Sequence, residues 1–320
     1  MSHGNTSPVP NAARYAAVLA IVLAFLFAWG CKSKEVPKPA VKAPEKVLGI
    51  PVGTLAYTSE GGLWVLRKGG KPEVVHEGAI WFPSVSPDCT RVAFWEDSGA
   101  TMSLQVINLI SRQVTKLGQW ESLGSLGRNL NLRNAPCWSA ASDRIWFADG
   151  SQIWEVAPDG SNLQTVYEHR EGGCYSVTTS PDAKSVAFIG VGEKDQNLWV
   201  YSTLTHEAKQ VTDFPQKDGM VGAPAWSPDT FKVAYVLYKA EDSNIWTVPP
   251  AGGQAIALTT GGKTNSPCWD FTGKRLVVGS GMQNPYAWQV ALVNFEDGKF
   301  LEQMTTAARG ASSPSLAGDW

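Results

Sequence analysis

The side chains of this 320-residue chain that could do chemistry are four histidines, five cysteines and a recurrent Ser-Pro-Asp. His3 stands near the start, and His76, His169 and His206 are scattered, with no His-Glu-x-x-His pair to hold a hydrolytic zinc. A Gly-x-Ser-x-Gly nucleophile elbow and a Cys-x-x-Cys pair are both missing from the sequence. "ALTTGGKT" ends like a phosphate-binding loop, but Ala257 occupies the place of its first glycine and no helix pattern follows, so it reads as a turn. Asp88, Asp182 and Asp229 follow prolines, where a carboxylate bonds the amides of its own turn, and they read as turn formers. "APDGSN" reads as a hairpin turn with positive φ at Gly160.

The elements that carry these residues repeat. "PSVSPDCTRVAF", "PCWSAASDRIWF", "VTTSPDAKSVAF", "PAWSPDTFKVAY" and "PCWDFTGKRLVV" align, with turn-opening residues at Ser86, Ser139, Ser180, Ser227 and Asp270. Their spacings of 53, 41, 47 and 43 residues suit a unit of several short strands, which is the sequence signature of propeller blades. In each unit a strand leads into the turn, a second follows, and a third carries a tryptophan. Trp64, Trp154, Trp199, Trp246 and Trp288 are read as one equivalent position, with Gln105 the exception, and as packing between blades. The fourth strand often ends in Leu-Thr or Val-Thr, as at Thr212 and Thr259. The segment after Gly53 supplies three strands without a first, and "PSLAGD" near the C-terminus supplies a first strand alone. One blade is therefore expected to be shared between the two ends, giving six. Cys137 and Cys268 fall at one repeat position three blades apart, across the ring. No disulfide is expected for them, nor between Cys89 and Cys174.

The Ser-Pro-Asp turn, the following "VAF", the tryptophan-bearing third strand and the Leu-Thr ending resemble the TolB-like, or PD40, β-propeller repeats over residues 53–320. The resemblance implies an all-β six-bladed propeller in an extracytoplasmic, envelope-associated setting. The glycine usual after Ser-Pro-Asp is Cys89, Ala183 or Thr230, and the small extra domain of TolB has no counterpart, so TolB's own partners are not carried over.

Residues 1–31 are a separate region. Arg14 precedes 15 apolar residues, from Tyr15 to Trp29, and Gly30-Cys31 follow. That is a signal-peptide length, short for a membrane span, and a small residue before Cys resembles a bacterial lipobox with Trp29 as a departure. Three alternatives stand: lipidation at Cys31, an uncleaved apolar anchor, or ordinary cleavage. The first two tether the chain to membrane lipid, and Lys32 after the cysteine points to an outer-membrane lipoprotein. Residues 32–52 hold five lysines, two glutamates and several prolines, a linker of net charge +3. Extended, it would reach on the order of 50 Å. The propeller proper, residues 53–320, has 21 basic and 27 acidic residues, an acidic balance that argues against nucleic acid.

The expected function is that of a membrane-tethered, non-enzymatic protein-binding propeller with no cofactor, facing the periplasm or the cell surface and meeting an envelope protein partner. The alternative is an enzyme or a sugar or small-ligand binder using the central funnel with a divalent metal, as in lactonase-like propellers. The inner strands, "PSV", "PCW", "VTT", "PAW", "PCW" and "PSL", are too apolar to favour it. Binding is expected on the face opposite the Ser-Pro-Asp turns. Residues 118–134 form the longest connection there, with Trp120, Arg128 and Arg133 as anchors and Trp81, Asp218, Asn284 and Tyr286 around them. The alternative for Trp120 is a cap on the core beneath its loop.

Overall fold

The computed structural model describes residues 53–121, 135–170, 172–192, 195–215, 219–281, 287–307, 310–318 and 320. Its 24 strands form six four-stranded sheets. The chain begins with β1 (Thr54–Ser59), β2 (Gly62–Arg67) and β3 (Glu73–Glu77) of blade 1. Blade 2 contains β4 (Ile80–Val85), β5 (Arg91–Asp97), β6 (Thr101–Asn108) and β7 (Val114–Glu121). Blade 3 contains β8 (Cys137–Trp138), β9 (Ile145–Ala148), β10 (Gln152–Val156) and β11 (Gln164–Glu168). Blade 4 contains β12 (Gly173–Thr179), β13 (Ser185–Val191), β14 (Gln196–Ser202) and β15 (Ala208–Gln210). Blade 5 contains β16 (Met220–Trp226), β17 (Val233–Lys239), β18 (Asp242–Val248) and β19 (Ile256–Ala257). Blade 6 contains β20 (Thr264–Trp269), β21 (Arg275–Ser280), β22 (Gln289–Asn294) and β23 (Phe300–Gln303). The last strand, β24 (Ser312–Ala317), returns to pair antiparallel with β1 and completes blade 1, so the ring closes as expected.

Each Ser-Pro-Asp turn is built in the same way. The Ser86 amide donates to the Arg91 carbonyl (2.9 Å), the Arg91 amide to Ser86 Oγ (3.0 Å), and Ser86 Oγ to Asp88 Oδ1 (2.5 Å). The amides of Thr90, Lys184 and Phe231 donate to Asp88, Asp182 and Asp229, which confirms the turn-forming role of these carboxylates. Burial opposes ionisation of Asp88, yet hydrogen bonds from Ser86 and Thr90 hold its carboxyl below the ordinary range. In blade 6 the fully buried Asp270 performs both jobs, accepting the amides of Lys274 and Arg275 at 3.2 Å each. Cys89, Ala183 and Thr230 have φ of 59°, 58° and 67°, the left-handed conformation for which the family pattern supplies glycine, and Gly273 (69°) keeps that glycine in blade 6.

Six apolar clusters lie one between each pair of adjacent blades. Leu55 and Tyr57 of blade 1 meet Val277 and Leu292 of blade 6, for example, and Ala187 and Leu198 of blade 4 meet Tyr235 and Val248 of blade 5. The second strands, such as "SVAFIGV" and "VAYVLYK", are buried on both faces because each sheet is covered by a neighbour on either side. Trp64, Trp154, Trp199 and Trp246 pack in these interblade clusters, and Trp64, Trp154 and Trp199 stack on Tyr57, Phe147 and Phe188.

Trp288 does not belong to this set. In blades 1, 3, 4 and 5 the tryptophan pairs with the residues Tyr57, Phe147, Phe188 and Tyr235, and their equivalent in blade 6, Val278, pairs with Ala291. Trp288 lies three residues earlier, just outside β22. Val278 and Ala291 hold the place in blade 6, so "AWQ" imitates the repeat in sequence without occupying its position. In blade 2 the place belongs to Gln105, opposite Phe94, as expected.

The Leu-Thr ending also acquires a role. Thr212, Thr259 and Thr305 Oγ1 accept the amides of Leu198, Ile245 and Val290 at 2.9, 2.8 and 2.9 Å, in three blades at one equivalent position. Thr212 is buried, so a substitution to valine keeps the shape and strands the Leu198 amide. Thr212→Val should destabilise the protein by about 1–3 kcal/mol in urea denaturation, and Thr212→Ser, which keeps the acceptor, by clearly less.

Candidate functional site

The central funnel is the natural place to look for a ligand in a propeller, and among the described residues it holds a small cavity. Its cavity of ≈ 70 Å³ is lined by residues from all six blades, among them Pro83, Ala135, Val177, Pro224, Pro267 and Pro314. Phe82, Ser176, Ala223, Ser266 and Ser313 line it too, with φ of 46–51°, each in the innermost strand of its blade. The strand registers shift at these five places, so each innermost strand carries a bulge immediately before its proline or, in blade 4, before Val177. A proline tolerates the inner strand because the bulge leaves no ladder bond for its missing N–H to make.

Just past the bulges the blades are joined edge to edge. Ser315 Oγ accepts the Val85 amide (3.0 Å), Cys137 Sγ that of Thr179 (3.4 Å), Thr178 Oγ1 that of Trp226 (3.3 Å) and Cys268 Sγ that of Leu316 (3.3 Å). At the two remaining junctions an indole reaches back, Trp138 Nε1 to the Ser84 carbonyl (2.8 Å) and Trp269 Nε1 to the Ala225 carbonyl (3.0 Å). Six neighbouring pairs are thereby connected. Cys137 and Cys268 are structural acceptors here. All four described cysteines are free thiols, in agreement with the expected absence of a disulfide. Burial pushes the Cys268 thiol up to about 11 and that of Cys174 up to about 12, which keeps both protonated and poor nucleophiles.

Among the described residues no group of three or more His, Cys, Asp or Glu side chains converges in metal-ligating geometry. "ALTTGGKT" is a turn that leads from β19 into β20, with the Gly262 amide on Asn244 Oδ1 (3.1 Å) and Lys263 Nζ on the Glu241 carbonyl (3.0 Å). "APDGSN" is likewise a turn, with Gly160 at φ 88°.

The two faces of the disc differ. The turns joining first to second and third to fourth strands form one face, here the bottom, and the second-to-third turns and blade connections form the top. The top carries two carboxylates from each of five blades. Glu60 and Glu77 come from the first, Glu96 and Asp97 from the second, Asp149 and Glu168 from the third. Asp195 and Asp213 come from the fourth, and Glu241 and Asp242 from the fifth. None is buried, and the described basic residues of this face are Arg170, Lys239 and Lys263. The bottom carries both signs in near balance and is tied by pairs such as Arg112 with Glu73 (2.7 Å) and Arg91 with Asp88 (3.3 Å). On Glu73, burial is outweighed by the guanidinium groups of Arg67 and Arg112, which hold its carboxyl below the ordinary range.

The top end of blade 2 is the most unusual part of this face. Where other blades place tryptophan, Gln105 donates to Glu96, and His76 of blade 1 stands 3.4 Å from the other oxygen of the same carboxylate. Trp81 is next to this trio, since its neighbour Ile80 pairs with Glu96 and Trp81 itself pairs with Trp95. Trp81 is exposed on the top face. Trp120 belongs to β7, opposite Met102, and its side chain lies outside the described residues. Cys31, Arg128, Arg133, Asp218, Asn284 and Tyr286 also lie outside them. The Glu96–Gln105–His76 trio escaped the sequence reading. Its signal was the polar residue at a tryptophan position, which was visible, but the histidine and glutamate come from other strands.

A family model described as the TolB beta propeller domain matches residues 149–319. No curated protein sequence matches the chain. Among solved structures, TolB from Acinetobacter baumannii superposes with a TM-score of 0.65 at 16% identity, over 83% of this chain and 66% of that one. A chain of a nidogen/laminin complex gives 0.64 at 11% identity, over 83% and 98% of the two chains. A TolB-like protein from Agrobacterium tumefaciens gives 0.60 at 16% identity, over 80% and 90%. At such identities the structures share the fold alone, whereas the family match spans more than half of the sequence and agrees with the six closed blades, so the chain belongs to the TolB β-propeller domain family.

Proposed function

We infer that the protein is a non-enzymatic binding module of the bacterial envelope, tethered through its N-terminal region and holding a protein partner on the acidic top of the propeller. The observation that carries this reading is the pair of carboxylates contributed to one face by each of five blades. Fixed on a rigid disc, such a face raises the local concentration of cationic partners and speeds their encounter. The cavity of ≈ 70 Å³ among the described funnel residues offers little room for a sugar or metabolite, which favours the outer face as the place of recognition. The apolar run before Gly30-Cys31 and the Lys/Pro-rich linker support attachment to membrane lipid, and TolB family membership supports an extracytoplasmic location.

Reversing Glu60, Glu77, Glu168 and Glu241 to lysine tests the reading. All four are exposed, so melting should be little changed. Capture of a cross-linked envelope partner at low salt should fall by about 10-fold or more, and the loss should shrink as salt rises. Undiminished capture by the reversed protein would remove the acidic face as the site. Stoichiometric Ca²⁺ or Zn²⁺ in purified protein would turn the assignment toward a funnel enzyme.

A further inference from the structure

Among the described residues most of the large apolar side chains left in water lie in, or shortly beyond, the turns of the end opposite the acidic face. Among the described residues nine large hydrophobic side chains are exposed, and Trp81 is the one that faces the top. Ile110 (64% exposed), Leu163 (43%) and Leu204 (69%) occupy the third-to-fourth turns of blades 2, 3 and 4, and Phe231 (48%) the first-to-second turn of blade 5. Val74, Ile256, Phe300 and Leu301 belong to outer strands, shortly after they leave bottom turns. Isolated exposed hydrophobics are ordinary, but a random scatter would not favour one end so strongly.

The turns hold these side chains outward. The Ile110 and Ser111 amides both donate to Asn108 Oδ1 at 2.9 Å, and the Leu204 and Thr205 amides donate to Ser202 Oγ at 3.3 and 3.2 Å. Basic residues stand near them: Arg112 two positions beyond Ile110, Lys232 beside Phe231, and Lys68 and Lys71 on the adjoining turn of blade 1. The chain also enters the propeller on this side. The Gly53 carbonyl accepts the Lys68 amide (2.8 Å) at the bottom of blade 1, so the 52 residues that precede Gly53, with their 15-residue apolar run and net-positive linker, join the disc there.

We propose that the bottom face docks on the bilayer to which the chain is tethered, with Ile110, Leu163, Leu204 and Phe231 entering the headgroup region and the acidic top turned away from it. The inference rests on the tethered reading given above. A protein partner would require a contiguous apolar centre, whereas a fluid headgroup layer accepts single apolar tips spaced from blade to blade. Anionic lipid repels the carboxylates of the top and attracts the linker, which orients the disc the same way. The carboxylate face is then presented to a partner in the compartment beyond the membrane.

The test uses the full chain reconstituted with vesicles of phosphatidylethanolamine containing a minority of phosphatidylglycerol, followed by flotation and hydrogen exchange. The wild type should float. Residues 109–112, 162–165 and 203–206 should exchange at least about five-fold more slowly than in the Ile110→Glu, Leu163→Glu, Leu204→Glu variant, while the top turn at residues 239–242 exchanges equally in both. The variant should still float, because its tether is intact, and protection of β13 and β17 shows that it is folded. If its core strands lose protection, the single Leu204→Glu variant carries the comparison. Wild type and folded variant floating with equal exchange in the bottom turns would overturn the docking and leave the tether standing. Wild type that stays at the bottom of the gradient would overturn the tether and the docking with it.

Discussion

Removal of residues 312–320 is expected to abolish cooperative folding, leaving a chain that aggregates instead of melting in one transition. The deleted segment contains β24, whose pairing with β1 runs from Thr54 with Ala317 to Thr58 with Ser312. Without it β1 becomes an open edge at the heart of the molecule, a template for pairing with other chains. Two interblade clusters lose members, Ala317 from that between blades 1 and 2 and Leu316 from that between blades 6 and 1. Two of the inner connections also go, Ser315 to Val85 and Cys268 to Leu316, together with the bond from Arg275 to the Trp320 carbonyl. Leu316→Ala gives a graded version. Its side chain is buried, and truncation should cost about 2–5 kcal/mol, a large share of the 5–15 kcal/mol typical of a whole domain. Urea denaturation with an unchanged slope would measure it. A truncated chain melting like the intact one would show that closure does not depend on this strand.

Phe188→Ala should produce the second large effect, about 3–5 kcal/mol, without altering the ring. Phe188 is fully buried in β13. It stacks on Trp199 within its own blade, 6.4 Å between centroids, and meets Tyr167 at 5.4 Å and His169 at 5.5 Å from blade 3. These neighbours are anchored in two separate sheets, so they can close only part of the void, and the residual cavity adds to the lost transfer energy. Phe188→Leu should recover most of the loss because it refills much of the volume. Calorimetry on the two variants distinguishes a cavity from a lost aromatic contact: equal losses would assign the effect to the ring itself.

The ring is legible in the amino-acid sequence. Turn chemistry is local, so Ser86, Ser180 and Ser227 with their aspartates declared where strands turn, and their spacing declared how many strands lie between. The count of six and the division of one blade between β1–β3 and β24 followed from the same periodicity. What repeats in sequence is what each blade needs for itself. The relation between blades was decided only in three dimensions. Trp288 looked like a member of the tryptophan set because three letters matched, but strand register, which depends on partners across the sheet, gives that place to Ala291. The left-handed bulges at Phe82, Ser176, Ala223, Ser266 and Ser313 were equally hidden, since none of these residues prefers that conformation and closure of the inner strands imposes it. Cys137 and Cys268 could be set apart from one another by counting blades, yet their role as acceptors for Thr179 and Leu316 depends on which neighbour lies alongside. The same holds for the two faces. Carboxylates from five blades, spread along the chain from Glu60 to Asp242, share one surface, and the exposed hydrophobics other than Trp81 lie toward the other, because every second turn of an antiparallel blade comes to the same side.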